Sequence, residues 1–500
     1  MPPSCFGCLS QYTHHHLVVF LLTFFSYVLL HASRKTFSNV KVSISAQWTP
    51  SAQNDSAPAF YPDETWENHH LFADEKQATL FLGALDSIFL FSYAVVSRMK
   101  AKQKVRRVLP KEAFDSNRRV FDDQHAGSVS ERHHRGQSFQ NLPSSDALWV
   151  LNGLLQSAVW PCVVAVMGNW FGKTGRGFVF GLWSACASVG NILGAFLASS
   201  VLKYGYEYAF LVTSVVQFAG GVVVFFGLLT SPKELETGLS PVETDTDSHR
   251  PLMSDEEEDE QEVETYSQRC RADQPPEEPV DEPPHAIGFF QAFCLPGVLL
   301  YSLAYACLKL VNYSFFFWLP FYLTNNYGWK EAKADRLSVW YDVGGIVGGT
   351  LQGLISDFMG KRAPVLVFSL VMAMGSLVGY SRSPNDKVIN AVILAITGFF
   401  IGGPSNMISS AISADLGRQD ILRGSQEALA TVTGIVDGTG SIGAAVGQYL
   451  VSLIESRLGW MSVFYFFIVM TGGSIVFIAP LLVRELRDMW RDRRALRHQL

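Results

Sequence analysis

The sequence predicts an all-α polytopic membrane protein built as two helical halves. Three observations lead there. Hydrophobic residues make up 48% of the 500-residue chain, with 36 phenylalanines among them. They gather in blocks close to the ~20 residues a helix needs to cross a bilayer. A polar stretch over 231–287 separates two groups of such blocks; its acidic run Ser254 to Glu260 and its prolines from Pro275 to Pro284 cannot bury a core, so it reads as a disordered cytosolic spacer. Length alone would allow three soluble domains, but blocks that are apolar on every side exclude them. The net charge of −6 averages this acidic spacer against basic loops and a basic tail.

The first block starts at Leu17 and carries no charge as far as Leu30. It then delivers Arg34 and Lys35, with no acidic residue within a helical turn on either side. A charge in hydrocarbon costs a few kcal/mol or more unless it meets a partner or a watery cavity. Two readings stay open: an anion site, or the end of helix 1 with both cations reaching for the interface. The run lacks a basic leader and a small-residue cleavage site, so helix 1 is expected to stay as an anchor. A polar stretch from Gln47 to Asn68 follows, and the sequon at Asn54 suits a glycosylated lumenal loop. The second span covers 78–96 and contains Asp86, which calls for a partner on another helix or a polar cavity.

From Ser97 to Asp146 the text is polar and basic, without a block of bilayer length. Spans resume near 147–168, 178–200 and 208–229; Gly177 and Gly181, then Gly190 and Gly194, stand at the spacing that lets helices pack closely. After the spacer come six regular spans near 297–323, 338–356, 364–381, 390–412, 428–453 and 461–483, then a basic, cytosolic tail. The domain plan is therefore a cytosolic 1–15, a first half over 16–230, the spacer 231–287, a second half over 288–485 and the tail 486–500. Five spans before the spacer and six after it make eleven, an odd number that would put the basic tail in the lumen if residue 1 is cytosolic. Cys5 and Cys8 form a CxxC open to metal, redox or S-acylation chemistry, and the seven cysteines show no disulfide framework. No phosphate-binding P-loop, HExxH or nucleophile elbow is present, so no enzyme, cofactor or metal is expected. The partners expected on composition are the lipid bilayer and no nucleic acid.

Several stretches resemble the sugar-phosphate exchangers, the organophosphate:phosphate antiporters of the major facilitator superfamily. They are His31-Ala32-Ser33-Arg34-Lys35-Thr36-Phe37-Ser38, Gly168 to Lys173 with Arg176-Gly177, Ser188 to Gly194, Asp342 to Gly345 through Ser356-Asp357, Ser413 to Gly417, and Asp437 to Gly443. The resemblance covers 16–96 and 148–485. It implies two pseudo-symmetric six-helix halves with a cavity between them, in an endomembrane such as that of the endoplasmic reticulum or lysosome. Against that pattern, the first half lacks helix 3: polar text of similar length replaces it over 97–146, as an alternative exon or an out-of-frame reading would.

The resemblance also implies a site. Related antiporters carry one cation on helix 1 and one on helix 7. The first maps to Arg34, with Lys35 beside it; the second maps to Asn312, with Lys309 one turn earlier. Arg34 would hold phosphate through its guanidinium fork, and Lys35 and Lys309 would act as point charges. Asn312 and Tyr313 would bond a sugar. Lys309 could instead pair with Asp86 or Asp342, and His31 reads as a packed polar residue. Trp170, Trp318, Trp329 and Trp340 read as packing or interfacial residues. The implied activity is exchange of a phosphorylated small molecule for inorganic phosphate, driven by substrate gradients. Two alternatives stay open: a carrier of another organic anion, and a non-transporting scaffold with an accessory membrane protein as partner.

Overall fold

The computed structural model describes residues 13–49, 74–99, 149–171 except 155 and 158, 176–229, 289–417, 419 and 426–499. The sequon at Asn54, the Cys5–Cys8 pair, the spacer 231–287 and most of the polar segment 97–146 lie outside them. Where the sequence places its eleven spans, nearly all of the described residues are helical. Eight of the described helices are long and apolar enough to cross a membrane.

The elements of the first half are α1 (His14–Trp48), α2 (Glu75–Met99), α3 (Val159–Trp170), α4 (Arg176–Val201) and α5 (Tyr206–Gly227). The second half holds the short α6 (Phe289–Phe293), then α7 (Val298–Tyr327), α8 (Glu331–Met359), α9 (Ala363–Ser381) and α10 (Lys387–Met407). A π-turn (Ile408–Ile412) joins α10 to α11 (Ser413–Leu416), and α12 (Gln426–Leu458) and α13 (Trp460–Gln499) complete it. Gly328 and Gly360 end α7 and α8 in left-handed backbone, at φ of 66° and 62°.

The halves meet in a pseudo-symmetric way: α2 packs on α12, and α4 packs on α8, while α1 and α7 touch across the centre. Close approach needs small residues. As the spacing predicts, Gly190 and Gly194 bring α4 onto the Val28 and Ala32 carbonyls of α1; a Cβ there would come within 2.4 and 2.5 Å of the oxygens. The surroundings of Gly177 and Gly181 lie outside the description. In the second half α8 and α10 interlock, with Gly344 against the Ala395 carbonyl and Gly398 against that of Tyr341.

This packing makes a paired prediction. A Cβ on Gly398 would sit 1.9 Å from the Tyr341 oxygen, whereas one on Gly375 meets nothing within 4 Å. Gly398→Ala should cost about 1–3 kcal/mol through overpacking. Thermal unfolding in detergent should show a lower midpoint for Gly398→Ala, and little change for Gly375→Ala.

Candidate anion site between the halves

Four buried cations lie near the centre of the molecule. Arg34, Lys35 and Lys41 stand on α1 and Lys309 on α7, and each is at most 6% exposed. What each has found as a partner sorts them into two pairs.

Lys41 and Lys309 are neutralised. Lys41 forms an ion pair with Asp86 of α2 and lies 3.8 Å from the centre of the Trp318 ring of α7. Lys309 meets Asp437 of α12 at 2.6 Å and donates to the Ser441 hydroxyl at 2.8 Å. Asp86 thus has a partner on another helix, and Lys309 pairs with neither Asp86 nor Asp342. Lys309, expected as a point charge toward an anion or as a structural partner of Asp86 or Asp342, is paired in this conformation with Asp437, because α12 places that carboxylate beside it.

Arg34 and Lys35 have no carboxylate within ion-pairing distance among the described residues. Both are held by dipoles and rings. Arg34 donates twice to the side-chain oxygen of Gln156, at 2.9 and 3.1 Å, and reaches the Tyr313 hydroxyl at 3.5 Å. The rings of Phe89 and Tyr93 flank its guanidinium at 5.4 and 5.2 Å. Lys35 donates to the Phe316 carbonyl of α7, which also accepts from Ser38 at 2.8 Å. That carbonyl is available for a simple reason. Proline has no N–H, so Pro320 four residues on cannot close the helical bond to it.

The cavity between the halves encloses some 740 Å³ not filled by atoms, part of it open to solvent. Lys35, Asn312, Tyr313, His31 and both carboxylates Asp342 and Asp437 line it. Arg34 sits one layer back, behind Tyr313, against a smaller hollow with Gln156 and Phe89. The amide of Asn312 is engaged at both ends: it accepts from Tyr341 at 2.7 Å and donates to Ser405 at 3.2 Å. The structure therefore brings the expected residues together in layers. Lys35, Asn312 and Tyr313 are on the wall, with Arg34 and Lys309 behind it.

Polar contacts tie the halves together at one end of α1. Besides Lys35 and Ser38, Ser43 donates through its hydroxyl and backbone N–H to Glu331, and Asn325 donates to Glu75 at 3.1 Å. Toward the other end the contact is apolar: Ala411, Ala414 and Leu429 are buried in the first-half cluster of Val19, Val163 and Trp170.

Comparison with known proteins agrees with this architecture. A model of the Major Facilitator Superfamily matches residues 139–421. Sugar phosphate exchanger 3 of Gallus gallus is 67% identical over 502 residues, covering 98% of this chain and 97% of its own. Its Homo sapiens counterpart is 64% identical, covering 97% of each. The chain belongs to the sugar-phosphate exchanger family of the major facilitator superfamily. A glucose-6-phosphate exchanger of Danio rerio is 34% identical, covering 96% of this chain and 94% of its own. A D-xylose–proton symporter shares the fold, with a TM-score of 0.59 at 10% identity over 93% of this chain and 96% of that one.

Within this exchanger fold, sequence reasoning missed Lys41. Its signal was present: Lys41 lies two helical turns beyond Arg34, on the same face, and a carboxylate inside the next span needs a cation. The tryptophans also resolve. Trp318 is buried and donates to Gln448 at 3.0 Å, Trp170 donates to the Leu229 carbonyl at 3.1 Å, Trp329 donates to Asn385, and Trp340 is exposed.

The Lys41–Asp86 pair yields a second prediction. Removing one partner of a buried ion pair costs about 3–5 kcal/mol, whereas replacing both by apolar residues is often tolerated. Asp86→Leu alone should abolish folded yield in detergent chromatography, and Lys41→Met with Asp86→Leu should restore most of it.

Proposed function

We propose that the chain exchanges a phosphorylated sugar for inorganic phosphate by alternating access. One observation carries the reading: of the four buried cations among the described residues, Arg34 and Lys35 are the two without an ion-paired carboxylate, with Lys35 on the wall of the central cavity and Arg34 one layer behind it. Burying an ion is costly without a charged or hydrogen-bonding partner, and dipoles alone leave the net charge in place. A phosphate brings the charge that is missing. The names of the relatives supply the rest, since sugar phosphate and glucose-6-phosphate are what those proteins are said to exchange.

In this reading Lys35 and Tyr313 meet the phosphate first. Arg34 donates to the Tyr313 oxygen, which leaves the phenol hydrogen available to a phosphate oxygen. A small movement of Tyr313 then lets the guanidinium take part directly. Lys309 is the cation on the opposite side, screened by Asp437, and Asn312 lies on the sugar side. The chain would reside in an endomembrane, of the endoplasmic reticulum or lysosome, with Asn54 glycosylated on the lumenal side. A second reading, transport of another organic anion, draws support from the neutralised state of Lys309.

Proteoliposomes loaded with inorganic phosphate test the proposal. The wild-type chain should take up labelled phosphate and glucose-6-phosphate against internal phosphate. Arg34→Ala should lower both fluxes about a hundredfold or more, because it removes two hydrogen bonds from a charged donor, while leaving the melting midpoint near that of wild type. Absence of exchange by the wild-type protein, with an unrelated organic anion crossing instead, would favour the second reading.

A further inference from the structure

The cavity wall carries one relay that phosphate binding does not use. It runs from His31 of α1 through Asn191 of α4 to Asp342 of α8, and so crosses the boundary between the halves. Asn191 donates its amide nitrogen to an Asp342 carboxylate oxygen at 2.6 Å. An ionised carboxylate only accepts, so this bond fixes which way the amide faces. The amide oxygen then points at His31, whose Nδ1 lies 3.0 Å away. An amide oxygen cannot donate, so Nδ1 must carry the hydrogen. In a neutral imidazole that leaves Nε2 as a bare acceptor.

Among the described residues Nε2 has no hydrogen-bond partner, and His31 lines the cavity. Two further acceptors on the wall are anionic: among the described residues Asp342 uses one oxygen for Asn191 and Asp437 keeps Oδ2 unpaired, and both repel a phosphate ester, while the Asn312 amide is taken at both ends. Phosphate oxygens look for donors, but alcohol hydroxyls need an acceptor as well. Lys35 stands four residues after His31 on the same helix face, about 6 Å further along the axis at 1.5 Å per residue. A hexose phosphate held by its phosphate at Lys35 would bring ring hydroxyls to the level of His31.

We infer that His31 is a specificity residue: its Nε2, set as an acceptor by Asn191 and Asp342, bonds a hydroxyl of the carbon-bearing end of the ligand and selects polyhydroxylated phosphate esters over simple ones. The inference rests on the phosphate-exchange reading above. It places the distinction between a sugar phosphate and a bare phosphate at this relay, away from the cations.

The test uses full-length protein in phosphate-loaded proteoliposomes, with glucose-6-phosphate and methyl phosphate as competitors of phosphate uptake. Both are phosphate monoesters of similar charge, and only the first has free hydroxyls. In wild type, glucose-6-phosphate should compete more strongly than methyl phosphate. His31→Phe keeps a ring against Tyr27 and Phe316 but has no nitrogen. It should lower that preference about three- to tenfold, the range expected for one lost hydrogen bond. His31→Gln, whose side-chain oxygen can accept, should recover most of the preference. Equal weakening of both competitors by His31→Phe, or no change in their ratio, would overturn the inference while leaving phosphate exchange standing. Equal competition by the two esters in wild type would also overturn it, whether or not the variants fold. Absence of phosphate uptake by wild type would overturn the exchange reading and this inference with it.

Discussion

The structure depends on how buried positive charge is answered. Helix α1 carries Arg34, Lys35 and Lys41, each buried to at most 6% exposure. Among the described residues, Lys41 alone of the three is ion-paired, to Asp86 on the neighbouring α2. Arg34 and Lys35 are answered by an amide oxygen, a phenol, a backbone carbonyl and aromatic faces. Hydrogen bonds from charged groups are worth about 1.5–3 kcal/mol each, and a desolvated cation over a ring about 2 kcal/mol. Such contacts hold the side chains in place without removing their charge. The first half therefore holds two cations without an ion-pair partner among the described residues, and the Asp342 carboxylate of the second half lines the same cavity as Lys35.

The second half answers in a different way. Its cation, Lys309, is closed by Asp437 and Ser441, so the α7–α12 face contributes little net charge. It contributes oriented dipoles. Pro320 strips the Phe316 carbonyl of its helical donor, and that carbonyl receives both Lys35 and Ser38. A kink-forming residue in one half thus supplies the acceptor for a buried lysine in the other. Because the bond crosses between the halves, it ties them in this arrangement. An anion that captures Lys35 would free the carbonyl and loosen the tie, and that is how a ligand could alter the balance between states through its different contacts in each.

Much of the architecture was legible in the sequence. Apolar block length marked the helices, and Gly190 and Gly194 marked the close approach of α4 to α1. The end of α1 was less so. Hydropathy falls at Arg34 and Lys35, yet the helix runs to Trp48, because Lys41 is satisfied by Asp86 and Ser43 by Glu331. Those partners come from other helices, and composition along one segment cannot show them. The gathering of Lys35, Asn312 and Tyr313 at one cavity, with Arg34 and Lys309 close behind, was legible as a set of residues and opaque as an arrangement. Lys309 and Asp437 are 128 positions apart, and nothing in either local sequence selects one for the other. Arg34 was expected on the cavity wall. The structure sets it behind Tyr313, since Gln156 and the Phe89 and Tyr93 rings form a closer seat for the guanidinium.

The two ends of the interface suit different jobs. Near the end of α1, the halves are joined by Ser38, Ser43–Glu331 and Glu75–Asn325, contacts that water can replace when they part. Toward the start of α1 they are joined by small apolar residues, Ala411 and Ala414 among them, beside a π-turn that follows Pro404. Separating an apolar contact exposes surface at roughly 25 cal/mol per Å², and small residues keep that area low. One seal is thus made of contacts that water can replace, and the other includes small apolar residues. A rocking carrier needs a balance between its seals, because a few kcal/mol of ligand contact must be able to decide which end is open. Arg34 and Lys35 lie between the two seals, so under the proposed exchange the charge of a bound phosphate would act on both.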